Sequence, residues 1–324
     1  MKKINLDPTL KIDNLLTNLG ISCFRNLAFE SLFVKTSFGN LHYYDSNPDS
    51  KDPPIVLIHG IGSSGQSWLL QAAVLKSKIR VLIPDLFQFS GFSRCTLGTL
   101  SIGDHARSLM EWFDVLALNK VALCGLSLGG WVSLTIVAAR PRLVSKLILL
   151  NPGGLSIDST RIRQTFENIS WKTMADIFPG LVSQFPVLPL PGNNFFQKKF
   201  SALLVRRFLF QIFFSEGVKN FIETIKMEEF MDNKLVSLTT ETLLLWGQKD
   251  TLLSSEMPYF FVSKMQNIQG FLVKDCAHIL CIESPVTLAT CIANFLDLEN
   301  LDSDVFFKIL EKFYPRHELI PIAV

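Results

Sequence analysis

What this sequence has little of narrows its chemistry before any motif is read. Its six cysteines, Cys23, Cys95, Cys124, Cys276, Cys281 and Cys291, include no C-x-x-C pair and no disulfide framework. They read as reduced thiols, so the cytoplasm is the expected compartment. Histidines number only five and no His or Cys group has ligand spacing, so neither a metal nor another cofactor is expected. Charge of one sign is missing as well: 31 Lys and Arg stand against 29 Asp and Glu, and the basic residues gather no further than pairs such as Lys198-Lys199 and Arg206-Arg207. Nucleic acid is therefore set aside as a partner. No apolar run is long enough to cross a bilayer. Met1-Lys2-Lys3 has the look of a signal-peptide start, but Asp7, Pro8, Lys11, Asp13 and Asn14 leave no uninterrupted apolar stretch behind it.

What is present is apolar material in quantity. With 48% hydrophobic residues over 324 positions the chain can bury a large core, enough for one big α/β domain carrying an insertion. From about residue 31, short β-branched or leucine-rich runs alternate with longer helical patterns. The runs are Leu32 to Lys35, Leu41 to Tyr44, Pro54 to His59, Val81 to Asp85, Val121 to Cys124, Lys146 to Leu150, Thr242 to Trp246 and Gly270 to Val273. Such alternation predicts a doubly wound, mostly parallel, eight-stranded sheet with helices on both faces. A hairpin around Phe38-Gly39-Asn40 adds an antiparallel edge.

Between Pro152 and about Asn233 the alternation stops, and helical stretches broken by Pro186, Pro189 and Pro191-Gly192 take its place. The expected organisation is an N-terminal helical extension over 1–30, a core in two parts over 31–153 and 237–300, a helical lid over 154–236, and a C-terminal helical extension over 301–324. Amphipathic spacing supports the two extensions, through Ile12, Leu15, Leu16 and Leu19 and through Val305, Phe306, Ile309, Leu310 and Phe313, stopped by Pro315.

The residues with the most to say are Gly125-Leu126-Ser127-Leu128-Gly129-Gly130, between the apolar runs Lys120 to Cys124 and Trp131 to Ala139. This is a strand, a tight turn and a helix with a serine at the apex, an arrangement that projects the hydroxyl beyond the end of a sheet. A serine is a weak nucleophile until a positioned base takes its proton, and that base needs a third group to hold its tautomer. His278 follows the strand Gly270 to Val273, and Asp250 closes Leu243 to Asp250, one turn beyond the preceding strand. Ser127, Asp250 and His278 thus all lie at carboxyl ends of strands, where doubly wound sheets collect their catalytic groups. The oxyanion needs backbone N–H donors. Leu128, directly after the serine, supplies one, and the turn His59-Gly60-Ile61-Gly62 supplies the other through Ile61.

With these residues in view, the chain resembles the α/β-hydrolase fold superfamily of the serine-hydrolase type. The likeness covers roughly 31–152 and 237–298 and rests on Pro54 to Gly62, Gly125 to Gly130, Leu243 to Asp250, and Asp275 to His278 with Glu283-Ser284-Pro285 behind it. It implies Ser127 as nucleophile, Asp250 as acid, His278 as base, and Ile61 and Leu128 as oxyanion hole. One departure stands out: in Asp85 to Ser93, Gln88 or Ser90 occupies a place where relatives often have glycine. Asp85 and Glu283 are read as structural carboxylates.

Other readings remain. Gly60-Ile61-Gly62-Ser63-Ser64-Gly65 followed by Asp85 fits a dinucleotide fingerprint, although it leaves Ser127, Asp250 and His278 without a role. The same fold also serves as a binding scaffold. Carbon–carbon bond hydrolases, thioesterases and haloperoxidase-like members keep a serine at the elbow and stay open beside the carboxylesterase and lipase-like reading. In the lid segment, Phe195, Phe196, Phe200, Phe208, Phe210, Phe213 and Phe214 exceed what one buried helix face needs, and Trp171, Phe178 and Phe185 lie upstream. They suggest a small-molecule ester with an apolar acyl chain as substrate. Arg206 and Arg207 suggest peripheral contact of the lid with a lipid surface.

Overall fold

The computed structural model describes residues 22–158, 160, 164, 216–299, 301 and 304–323. Among them, ten strands form one sheet. They are β1 (Glu30–Thr36), β2 (Gly39–Asp45), β3 (Ile55–Ile58), β4 (Val81–Pro84), β5 (Arg94–Cys95), β6 (Val121–Leu126), β7 (Val144–Leu150), β8 (Thr242–Gly247), β9 (Ile268–Val273) and β10 (Leu319–Pro321). The order is β1-β2-β4-β3-β6-β7-β8-β9-β10, with β5 paired to β2. Neighbours from β4 through β9 are parallel, while β1, β2, β5 and β10 pair antiparallel.

All eight expected strands are present, and two short ones are added. Arg94–Cys95 is a two-residue pairing too brief to leave a periodic signal. Leu319–Pro321 corrects the expectation of a purely helical C-terminal extension. The helix Val305–Phe313 does form, with Asp304 capping the amide of Phe307, but the chain then returns to cover the β9 edge. An exposed edge strand is a liability, and even three residues of antiparallel pairing close it.

The central strands read as continuous apolar runs because both faces are covered. Alternate residues go to opposite sides: Val56, Ile58, Leu123, Leu147, Leu149, Leu244 and Trp246 join one buried cluster. Ile55, Leu57, Cys124, Ile148, Leu150, Leu243 and Leu245 join the other. The flanking helices follow from sequence in the same way. Helix α1 is Leu69–Leu75; α2, Ile102–Val115, opens on a capping box in which Ser101 Oγ accepts the Asp104 amide and the Asp104 carboxylate accepts the Ser101 amide. Helix α3, Leu128–Ala139, is apolar nearly all round because it is buried against the sheet.

The chain adds β4 on one side of β3 and then returns to lay β6 on the other. The topological switch therefore falls between β3 and β6, where open α/β sheets form a crevice. Further along come α4 (Glu216–Thr224), α5 (Met257–Lys264), α6 (Leu280–Glu283), α7 (Pro285–Phe295) and α8 (Val305–Phe313). No helix among the described residues is long and apolar enough to cross a membrane. The expected helix through Ile12 and Leu19, and the lid phenylalanines with Trp171, Arg206 and Arg207, lie outside the described residues.

Candidate active site

The serine sits at the switch point. Leu126, Leu150, Leu245 and Phe271 are in register across β6 to β9, so the segments that follow these strands emerge side by side. Ser127 is the next residue after β6 and has φ 54° and ψ −115°, a strained conformation costing about 1–3 kcal/mol that persists only when its surroundings enforce it. The enforcement is visible. The Ser127 amide donates to Leu150 O (2.9 Å), and the Ser127 carbonyl accepts from Gly130 and Gly153 (3.0 Å each). Gly129 lies so close to the β3 end that a Cβ there would run into the Ile58 and His59 carbonyls, which is why the elbow needs glycine.

The loop after β9, which carries His278, folds back across the end of β8. Lys249 N donates to Cys276 O at 2.7 Å, and a Cβ at Gly247 would strike Ala277 O, so residues 274–278 lie over the end of β8. Glu283 fixes the loop from beneath, accepting the amides of Ala277 (2.8 Å) and Ile279 (2.9 Å) on either side of the histidine. Burial raises the Glu283 pKa above the ordinary carboxylate value even so. It is a structural carboxylate, as its sequence context suggested.

His278 Nδ1 lies 2.7 Å from Asp250 Oδ2. The same oxygen accepts from Asn151 Nδ2 at 2.6 Å, while Oδ1 takes the amides of Leu252 (2.9 Å) and Leu253 (3.2 Å). Burial by itself pushes the Asp250 pKa up. The charge and hydrogen bond of His278, with Asn151 and Leu253, outweigh that and hold it below the ordinary value. An ionised Asp250 fixes Nδ1 as the protonated nitrogen and leaves Nε2 as the acceptor. Among the described residues, the Ser127 hydroxyl and the His278 ring are not hydrogen-bonded to each other.

The turn after β3, His59-Gly60-Ile61-Gly62, runs against the serine. A Cβ on Gly60 would lie 3.3 Å from Ser127 Cβ, and among the described residues the amides of Ile61 and Leu128 donate to no protein acceptor. His59 braces this turn: Nδ1 donates to Gly60 O (2.8 Å) and Nε2 accepts the Leu86 amide (2.9 Å). Burial lowers its pKa, in keeping with a neutral ring that must accept at Nε2. Ser90 ties the next loop to the same turn through Gly62 O and Ser63 O.

Two sequence features resolve here. Of Gln88 and Ser90, it is Gln88 that carries a positive φ, 68°, which favours glycine, and its side chain is held by accepting the Leu100 amide and donating to Gly98 O, both at 2.8 Å. The dinucleotide fingerprint is disarmed: the Gly65 amide donates to Asp85 Oδ1 (2.7 Å), so amide and carboxylate serve each other. Sequence reasoning missed Asn151, which has φ 42° and also accepts the Gly247 amide at 3.2 Å, and the role of His59. The Asn151-Pro152 pair was the available signal for Asn151, since such a pair marks a turn just past a strand.

Residues 53–285 match the family model described as alpha/beta hydrolase fold. The chain belongs to that family. Among relatives in the alpha/beta hydrolase family, it is 24% identical to human monoacylglycerol lipase ABHD6, the match covering 78% of each chain. It is likewise 24% identical to carboxylesterase YbfK from Bacillus subtilis, over 82% of this chain and 88% of the relative. Among solved structures, naproxen esterase (carboxylesterase NP) from Bacillus subtilis superimposes with a TM-score of 0.72 at 22% identity, covering 90% of this chain and 99% of that one.

Proposed function

We propose that the chain is a serine hydrolase that cleaves carboxylic esters through an acyl-enzyme on Ser127. The observation that carries the reading is the 2.7 Å pair of Asp250 and His278, set beside a strained serine with two unengaged amides next to it. Ser127 Oγ attacks the ester carbonyl and passes its proton to His278 Nε2, while Asp250 steadies the imidazolium. The amides of Ile61 and Leu128 hold the oxyanion. His278 then protonates the leaving alcohol, and water clears the acyl group by the same steps. The relatives named carboxylesterase and monoacylglycerol lipase support this assignment.

The phenylalanines between 195 and 214 support an apolar acyl chain and a lid over 154–236, and the basic pair Arg206-Arg207 in the sequence supports peripheral contact with a lipid surface. Six free thiols support a reducing compartment, and we keep the cytoplasm as the proposed one. Fluorophosphonate labelling with peptide mapping, followed by an ester panel on wild type and Ser127→Ala, tests the assignment. Label on Ser127 and loss of turnover in the alanine variant are expected. Undiminished ester turnover by Ser127→Ala defeats the assignment, and a chain-length series with acetate as best substrate defeats the acyl preference.

A further inference from the structure

A second serine, histidine and aspartate stand in line outside this site. Ser31 Oγ is 2.8 Å from His42 Nε2, and His42 Nδ1 is 2.7 Å from Asp85 Oδ2. The sheet builds the line by register. β1 and β2 pair Ser31 with Tyr44 and Phe33 with His42, which makes Ser31 and His42 diagonal neighbours on one face. Asp85 follows β4, whose Pro84 pairs with Tyr43. The rings of Phe33, Tyr44 and Phe92 surround the imidazole with centroids at 4.9, 4.7 and 4.9 Å, so its orientation is fixed.

Burial pushes the Asp85 pKa up, but the hydrogen bond and charge of His42, with His59 and the Phe92 amide, hold it below the ordinary value. With Nδ1–H donating to an ionised Asp85, Nε2 is the acceptor and the Ser31 hydroxyl donates to it. The His42 and Asp85 side chains are 0% and 1% exposed, whereas Ser31 and Phe33 face solvent. A protected base behind an accessible hydroxyl is the arrangement that activates a serine. Four strand spacings separate β1 from β6, roughly 19 Å at about 4.8 Å each, so this is not an arm of the Ser127 site.

We propose that Ser31 is a second nucleophile, which accepts an acyl or phosphonyl group from esters and fluorophosphonates with good leaving groups. Ser31 Oγ bonds to the acyl carbon or phosphorus, and its proton passes to His42 Nε2. The bond to the leaving group breaks, and that group departs with the proton, as an alcohol or as hydrogen fluoride. Ser31 lies in an extended strand, with no helix starting at it and no positive φ. It lacks the strained turn and helix start that set the Ile61 and Leu128 amides, each worth about 10²–10³-fold in rate, beside Ser127. Acylation is therefore slow, limited to activated reagents, and stoichiometric.

The test uses Ser127→Ala full-length protein, a fluorophosphonate probe and mass mapping of the modified peptide. Label should appear on Ser31 at a rate about 10⁴–10⁶-fold below that of Ser127 in wild type, the product of two missing donors. Adding His42→Gln should slow it by at least about a hundredfold, the lower end of what a general base contributes. No label on Ser31 after exhaustive exposure, or an unchanged rate with His42→Gln, overturns the proposal. Because His42 is buried and its replacement can cost the fold, Ser31→Cys gives a separate reading. Iodoacetamide alkylation of that thiol should show a midpoint below about pH 7.5, as for a histidine-paired thiol, and a midpoint at the free-thiol value of about 8.5 overturns the proposal.

Discussion

Two regions of this sheet carry the same three residue types, and they differ in everything around the serine. At the β6 to β9 ends, Ser127 sits on a strained elbow at a helix start, with the Ile61 and Leu128 amides beside it. At the β1 to β4 edge, Ser31 lies in an ordinary strand, and its contact with His42 is already closed at 2.8 Å. Both aspartates are buried, and both histidines receive an aspartate at 2.7 Å on Nδ1. The proton relay is thus the easy part to build. What sets a catalytic serine apart is backbone: a conformation that only a rigid turn can hold, and amides left without partners.

The comparison breaks hardest at the aspartates. Asp250→Asn should leave the fold intact and lower kcat by about 10³–10⁴-fold, because an amide cannot hold the required tautomer of His278. Steady-state kinetics on a p-nitrophenyl ester checks this, and a loss of less than tenfold would strip Asp250 of its role. Asp85→Asn should do the reverse and act on stability. It removes the charge that accepts from His42 and weakens the carboxylate that holds the amides of Gly65 and Phe92, at a cost of about 1.5–3 kcal/mol in unfolding free energy, the worth of a hydrogen bond to a charged group.

The pH dependence of that second loss has a definite sign. Asp85 has a folded pKa below its unfolded value of about 3.9. Its stabilisation is complete above the unfolded value and is lost as pH falls through the folded one. The gap between wild type and Asp85→Asn in denaturant midpoints should therefore be widest near neutrality and begin to close only as pH drops below the unfolded value of about 3.9. A gap that widens with acid would contradict the ionised assignment.

How much of this was legible in the sequence follows the same divide. The eight longer strands and the positions of Ser127, Asp250 and His278 could be read because periodicity and turn chemistry are local. The buried clusters on both faces explain why the runs are continuous rather than alternating. Residues 94–95 and 319–321 left no periodic trace because two or three paired residues cannot. For Asn151 the sequence offered only the turn signal of Asn151-Pro152, and the roles of Asn151, His59 and the Ser31–His42–Asp85 line were hidden for another reason: they act through contacts between residues distant in sequence, such as Asn151 with Asp250 and Ser31 with Asp85 through His42.

Gly129→Ala tests the elbow itself. The added methyl would meet the Ile58 and His59 carbonyls, so either the helix start or the oxyanion turn must move, at about 1–3 kcal/mol for overpacking. Activity should fall more than stability, since the displaced backbone carries the Leu128 amide. Thermal melts and kcat measured on the same preparation separate the two, and full activity with a lowered melting temperature would mean that the elbow is looser than its contacts indicate.

The smallest effect sharpens the comparison most. Asn151→Ala takes one of four donors from Asp250, leaving His278 and the amides of Leu252 and Leu253. It also frees the Gly247 amide that Asn151 Oδ1 accepts. A hydrogen bond to a charged group is worth about 1.5–3 kcal/mol, part of which water restores, so stability should fall by about 1–2 kcal/mol. If Asn151 also orients the carboxylate, kcat should fall about tenfold with KM unchanged, because the loss is felt only when His278 becomes charged in the transition state. A rise in KM at constant kcat would assign Asn151 to substrate binding instead. Asp85 takes the amides of Gly65 and Phe92 beside His42, whereas Asp250 takes the Asn151 side-chain amide as well as the amides of Leu252 and Leu253, so this one residue tests whether the Asp250 carboxylate is tuned beyond holding a loop.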